Sequence, residues 1–277
     1  MTARTAGFTL IELLVALALG LVILLVASDL LISSSRSASD LQGRNDLLQE
    51  SQIAQNYMVA QLREAAYVFP EGTTLALGAG ATTTPPGESA WRVGDDTWPV
   101  VAVVRPPRRV GTPCVLPSGV TDPDACYQFL AYYPLPRDTW VGAVSGADDP
   151  GPDAANGGRW VLVEYRSTYP AAPPLSLLPG GSGGAYTPPP GGAARLLLDY
   201  VQPPALALPG TPPLFTVTNL NGGPWRQTPG DISVTVNLAV SRRIGRQDVT
   251  VPNRGADAAG SVTTVGTVPR NLGKLPN

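Results

Sequence analysis

Residues Phe8 to Ala27 read FTLIELLVALALGLVILLVA, and only Thr9 and Glu12 interrupt this apolar run of 20 residues. At a rise of ~1.5 Å per residue such a helix spans roughly 30 Å, the hydrocarbon thickness of one bilayer. Two plain readings are a secretory signal peptide and a simple membrane anchor. A secretory signal has a shorter apolar core and then a small-residue cleavage site. Here the run is long, and the following SDLLISSSRSASDLQ, Ser28 to Gln42, continues a helical pattern. An anchor explains the length but not Glu12. A carboxylate inside an apolar span is costly and marks a functional position by default.

The helical pattern extends well past the apolar run. No proline occurs between Phe8 and Phe69, and Leu30, Leu31, Ala38, Leu41, Leu48, Ile53, Tyr57 and Ala60 fall roughly on one stripe. Arg36, Asp40, Arg44, Asp46, Gln49, Glu50 and Arg63 form the polar face, and Gly43 is its weak point. We expect one helix from about Leu10 to Ala66, ending before Pro70. Its first half faces lipid and its amphipathic second half lies against a sheet. A coiled-coil stem fits less well, because the heptads break after Leu48.

The residues GFTLIELL, Gly7 to Leu14, resemble the class III signal of type IV prepilins and type II secretion pseudopilins. The resemblance implies a leader, residues 1–7, cut after Gly7 by a membrane prepilin peptidase. Phe8 is then the mature N-terminus and the site of N-methylation, and Glu12 is the family's glutamate. Thr5 and Ala6 stand where family leaders often carry a basic residue. Arg4 and the free amine still supply positive charge, which favours a cytoplasmic N-terminus. The family's partners follow: other pilins through the N-terminal helix, the peptidase and an inner-membrane assembly platform. The implied location is the bacterial inner membrane, single-pass, with the head periplasmic or extracellular, and then a pilus or pseudopilus at the cell surface.

The chemistry of Glu12 follows from its place. Cleavage gives Phe8 a new ammonium group, and in a bilayer or filament core an unpaired ion costs several kcal/mol. Glu12 of one subunit beside the Phe8 amine of its neighbour cancels both charges. At ~4 Å and an effective dielectric near 20 the attraction is about 4 kcal/mol before desolvation is subtracted. The pair therefore acts mainly on register. The plainer alternative is that Glu12 only complements its own helix N-terminus, worth ~0.3–1 kcal/mol.

Beyond Pro70 the hydrophobic period changes to two. Expected strands are Ala90–Val93, Trp98–Arg105, Cys126–Tyr133, Arg159–Ser167, Ala194–Val201, Leu214–Asn219 and Asp231–Arg242. Between them lie loops such as GADDPGPDAANGG (146–158) and PGGSGGAYTPPPGG (179–192). Gly and Pro number 30 each, but 43 % hydrophobic content argues for a folded chain rather than a disordered one. The expected fold is α+β: a long N-terminal helix, transmembrane in its first half, packed on an antiparallel β-sheet head with long Gly/Pro-rich loops. The expected division is leader 1–7, helix 8–69 with 8–28 transmembrane, and exported head 70–277.

The order of features also resembles minor pilins of the PilW type and the related large pseudopilin of type II secretion. The segments are QLREAAY (61–67), YQFLAYY (127–133), GRWVLVEYR (158–166), ARLLLDYV (194–201), ISVTVNLAV (232–240) and VPRNL (268–272). Many major pilins carry a proline in the membrane half of this helix. This chain has none there, and has Asp29, which with the large irregular head favours a minor subunit.

Other constellations carry less. Cys114 and Cys126 fit one disulfide in an oxidising compartment, with two free buried thiols as the alternative. Asp148, Asp149, Asp153 and Asn156 offer oxygen ligands to calcium, but their spacing is not that of an EF-hand loop, and such residues are ordinary in turns. Arg105, Arg108 and Arg109 form one basic cluster, and Arg242, Arg243 and Arg246 another. Basic clusters are what phosphate contact with nucleic acid requires. The net charge of -2 argues against a general DNA footprint, and arginine at a strand end is commonly just solvated.

The chain contains no histidine, so Ser–His and Cys–His mechanisms are excluded and the commonest metal ligand is missing. GSGG at 181–184 lacks the lysine and helix of a phosphate loop and reads as a linker. No cofactor and no enzymatic activity is expected. The expected function is that of a minor pilin that starts or tips a type IV pilus, in adhesion, motility or DNA uptake. The alternatives are a type II secretion pseudopilin and, from another class, an adhesin or DNA-binding module on a pilin stem.

Overall fold

One helix, α1 (Leu10–Arg63), opens the structure, a computed structural model describing residues 9–115, 119, 121–181, 183–223, 225–245, 247–252 and 258–276. The chain divides into two units, residues 1–45 and 46–277. In the first, every large apolar side chain from Leu10 to Ile32 is exposed, at 50 % or more. Among the described helices, α1 is the one long and apolar enough to cross a membrane.

The second unit follows in chain order as β1 (Tyr67–Val68), β2 (Thr73–Leu75), β3 (Trp91–Arg92), β4 (Val101–Arg105), β5 (Tyr127–Pro136), α2 (Arg137–Ala143), β6 (Trp160–Tyr169) and β7 (Gly184–Tyr186). Then come β8 (Ala193–Val201), β9 (Phe215–Asn219), β10 (Ile232–Leu238), β11 (Val240–Ile244), β12 (Gln247–Val251) and β13 (Thr263–Thr267). The main sheet is antiparallel throughout, in the order β1-β4-β5-β6-β8-β11-β12. A second antiparallel sheet runs β13-β10-β9, and a small sheet β3-β2-β7 contains one parallel pair.

Alternation along β4 and β5 builds two cores, one on each face of the main sheet. Val101, Val103, Leu130 and Tyr132 face the end of α1 and the β10 side chains Val234 and Val236. Ala102, Val104, Phe129, Ala131 and Tyr133 face the other way, onto Phe69, Leu75, Trp91 and Trp140. This is the period of two expected of a strand. Covering both faces also explains why β4 and β5 read as almost uninterrupted apolar runs. Each fully buried large side chain contributes ~1.5–3 kcal/mol.

The buried face of α1 differs from the expected stripe. Leu47, Ser51, Ala54, Gln55, Met58, Gln61 and Leu62 are buried, whereas Ile53 is 68 % exposed and Ala60 faces outward. The reason is polar residues within the packed face, each satisfied there. Ser51 Oγ donates to Leu48 O at 2.9 Å, Gln55 Nε2 donates to Thr263 O at 2.9 Å, and Gln61 Oε1 accepts from Arg105 at 2.5 Å. They hide the face from a hydrophobicity pattern.

The helix also stops at Arg63 rather than Ala66. Ala66 N donates to Val104 O at 2.8 Å, so sheet pairing captures the backbone first. The carbonyls left open at the helix end are taken by the C-terminal segment: Arg270 N donates to Arg63 O and Asn271 Nδ2 to Glu64 O.

The expected strand Asp231–Arg242 is two strands, β10 and β11, in different sheets. They part at Ala239, whose carbonyl accepts from Gln202 N. Leu238 and Val240 remain in one core, so the alternation runs through the break. The expected linker at 181–184 ends in β7, which pairs in parallel with β2. Gly183 permits the approach: a Cβ there would lie 2.7 Å from the carbonyl carbon of Gly72.

Candidate functional site

The N-terminus of α1 is closed by a reciprocal cap. Thr9 N and Thr9 Oγ1 both donate to Glu12 Oε2 at 2.9 Å, and Glu12 N returns a bond to Thr9 Oγ1 at 3.4 Å. This is the capping-box geometry of a Thr followed three residues later by Glu. The plainer alternative for Glu12, service to its own helix, is thus present in the single chain. Both Thr9 donors use Oε2, and a carboxylate offers about four lone-pair sites, so the second oxygen is left to accept another donor. Gly7 and Phe8 lie outside the described residues.

The first basic cluster does not form a free cationic face. Arg105 is 1 % exposed, and its guanidinium donates to Gln61 Oε1 at 2.5 Å and Gln128 Oε1 at 2.6 Å. Burial, with Arg108 nearby, lowers its pKa. Arg105 therefore cannot reach a phosphate as supposed; it ties the end of α1 to β4 and β5. Arg108 pairs with Glu64 at 3.4 Å and Arg109 with Asp122 at 3.1 Å. In the second cluster Arg242 lies over the Tyr200 ring at 4.6 Å. Arg243 is bound through its backbone to Asn156 Oδ1 at 2.6 Å, while its side chain is exposed. Arg246 lies outside the described residues.

Cys114 and Cys126 are joined by a disulfide, with Cα atoms 4.7 Å apart. A loop of this size contributes roughly 3 kcal/mol in the chain-entropy model. The loop it closes supplies Asp122 to Arg109, and Pro123 O accepts from Gln128, so it braces the same corner.

The acidic loop is committed internally. Asp149 Oδ1 accepts from Gly151 N at 2.8 Å, and Asp153 Oδ2 accepts from Asn156 at 2.9 Å and Tyr200 OH at 3.1 Å. Burial pushes Asp153 up, but bonds from Asn156 and Tyr200 and the charge of Arg137 outweigh it, so the carboxyl titrates below its ordinary range. Among the described residues no three His, Cys, Asp or Glu side chains converge as metal ligands.

Sequence reasoning missed the most constrained polar group of the head. Arg137, 1 % exposed, places Nε 3.0 and 3.1 Å from the two oxygens of Asp199 and NH2 2.8 Å from Gly151 O. Strand β8 carries a bulge here: Trp160 pairs with Val201 and Leu162 with Leu198, so Asp199 and Tyr200 together oppose Val161. Tyr200 sits at φ 61°, a strained value for a bulky residue. Its amide donates to Asp199 Oδ1 at 2.8 Å, and the guanidinium groups of Arg137 and Arg242 both lie over its ring, 5.2 and 4.6 Å from the centroid. Burial, reinforced by Asp199, pushes its hydroxyl up to about 12. The available signal was a lone carboxylate ending the apolar run ARLLLDYV.

Burial pushes Asp199 up, against the pull of Arg137. It also pushes Glu50 up, helped by Asp199 and Asp46. A carboxyl with a raised folded-state pKa gives stability that is fully present below its unfolded value and lost as pH rises through the folded one. Glu50→Gln is therefore expected to stabilise the fold at neutral pH by up to ~0.5 kcal/mol, as for an exposed position, with a slight rise in melting temperature, and to change nothing near pH ~4. Thermal melts of both chains across that range check it.

No curated protein and no solved structure matches the chain. Residues 2–28 match the family described as the prokaryotic N-terminal methylation motif, and the match does not extend into the head. That family is structural rather than enzymatic, and the motif implies processing by a prepilin peptidase and assembly with other pilins. This match shows that the chain carries a type IV pilin-like prepilin signal, and the membrane-length helix fits it.

Proposed function

We propose that the chain is a minor pilin of a type IV pilus. It waits in the inner membrane with its N-terminus cytoplasmic and its head outward, is cut between Gly7 and Phe8 and methylated on Phe8, and joins other subunits by helix packing. The observation that carries this reading is Glu12, set within the prepilin signal in an almost wholly apolar run. A proline-free membrane segment and the large, irregular head support a minor subunit that initiates or tips the filament. The order of the head segments favours the PilW type within that class.

Direct DNA contact draws less support, since Arg105 is buried and Arg108 and Arg109 are paired with carboxylates. The test is deletion and localisation in the native host. A minor pilin is recovered in sheared surface filaments, and its deletion reduces piliation while leaving protein export intact. Export lost with piliation unchanged makes the chain a secretion pseudopilin instead.

A further inference from the structure

Asparagine precedes glycine twice in the chain, at Asn156–Gly157 and at Asn221–Gly222, and the fold treats the two pairs in opposite ways. Before glycine a side-chain amide is open to attack by the next backbone nitrogen, because glycine has no Cβ to shield that nitrogen. Asn156 is 1 % exposed and is held at both ends. Its Nδ2 donates to Asp153 Oδ2 at 2.9 Å and to Arg243 O at 3.1 Å, and its Oδ1 accepts from Arg243 N at 2.6 Å. Gly157 is packed as well: a Cβ there would collide with the Asp138 carboxylate.

Asn221, Gly222 and Gly223 are exposed, in the connection between β9 and β10. Asn221 Oδ1 accepts from Gly223 N at 2.8 Å, which makes an Asx turn. That bond closes a short ring of atoms containing both Asn221 Cγ and Gly222 N, so electrophile and nucleophile are kept together. The same N–H donates to the oxygen on which negative charge develops when Cγ is attacked. Asn219 braces the turn, its Oδ1 accepting from Asn221 N at 3.3 Å and its Nδ2 donating to Gly223 O at 2.8 Å. Gly222 has φ 63°, which glycine adopts freely. Neither Gly222 N nor Asn221 Nδ2 makes a hydrogen bond among the described residues. Solvent can therefore take the one proton, and nothing in the fold retains the other group.

We propose that Asn221 is a self-modification site, converted in the folded head to aspartate and isoaspartate. Gly222 N gives up its proton and bonds to Asn221 Cγ. The Cγ–Nδ2 bond breaks, and Nδ2 leaves with that proton as ammonia. Water then opens the resulting five-membered imide. Attack at Cγ breaks the new bond and leaves aspartate in an ordinary peptide. Attack at the main-chain carbonyl carbon breaks the old peptide bond and leaves isoaspartate. Both products add a carboxylate to the head, and isoaspartate also adds a methylene to the backbone between β9 and β10. The inference stands apart from the pilin reading, since it uses no residue of the N-terminal helix.

The test incubates the full chain in detergent micelles at mildly alkaline pH, beside a sample unfolded in urea, and follows both asparagines by peptide mass spectrometry. In the folded chain the peptide containing residue 221 should gain about one dalton, divided between aspartate and isoaspartate, which electron-transfer fragmentation separates. Asn156 has three hydrogen bonds to break first, which should make it react about a hundredfold more slowly than Asn221 in the folded chain. In urea that difference should vanish. Asn221 still intact in the folded chain once the unfolded sample has converted would overturn the proposal. So would equal conversion of Asn156 and Asn221 in the folded chain.

Discussion

Glu12→Gln is expected to reduce incorporation into filaments at least tenfold while leaving the helix cap in place. Glutamine serves in a capping box as glutamate does, so the bonds with Thr9 survive the change. What disappears is the charge. The attraction lost is about 4 kcal/mol at ~4 Å and a dielectric near 20, and the Phe8 amine of the neighbour is left in low dielectric without a partner. Thr9→Val makes the opposite cut. It removes the side-chain cap, worth roughly 1 kcal/mol, and keeps the carboxylate. That variant should assemble almost normally. Quantitative immunoblots of sheared filaments against membrane fractions separate the two. If Glu12→Gln assembles like wild type and Thr9→Val does not, Glu12 serves its own helix and nothing more.

In the head, Arg137→Met should cost about 3–5 kcal/mol, the usual result of removing one partner of a buried ion pair. Asp199, only 12 % exposed, then has no counter-charge within bonding distance among the described residues, and Gly151 O loses its donor. The corresponding fall in melting temperature is roughly 10 °C for a domain of this size. The defect carries its own pH signature. Burial already raises Asp199, and without Arg137 the carboxyl rises further, so acidification neutralises it and the deficit shrinks. Arg137→Met combined with Asp199→Leu should recover much of the loss, because the uncompensated charge is gone. A loss below about 1 kcal/mol for the single variant would mean that Arg137 does not anchor the bulge.

The most legible parts of this protein were those in which one physical demand acts alone. Bilayer thickness dictates the length of an apolar run, so a helix of membrane-spanning length could be read directly. Strands that need several alternating residues were found as well: Tyr127–Pro136 and Trp160–Tyr169 lie where Cys126–Tyr133 and Arg159–Ser167 were expected. Strands of two or three residues, such as Tyr67–Val68 and Gly184–Tyr186, contain no period to detect. They exist because a neighbour's backbone is within reach, which only the assembled sheet supplies.

Misreadings arose where a polar residue does core work. Ser51, Gln55 and Gln61 turned the inner face of α1 into an apparent outer one. Arg105, taken for a surface cation, holds two buried glutamines together. Arg137 and Asp199 lie 62 positions apart, and nothing local to either names the other. Glu12 stands out in the sequence because a lone carboxylate in an apolar run has few possible roles. In the head, charge has many.

Phe8 is where the whole account is exposed to test. Intact mass spectrometry of the chain extracted from native membranes reads its N-terminus directly. Our reading requires a mature polypeptide that has lost residues 1–7 and starts with N-methylated Phe8. A chain still beginning at Met1 and unmethylated, in cells whose other prepilins are processed, would contradict it.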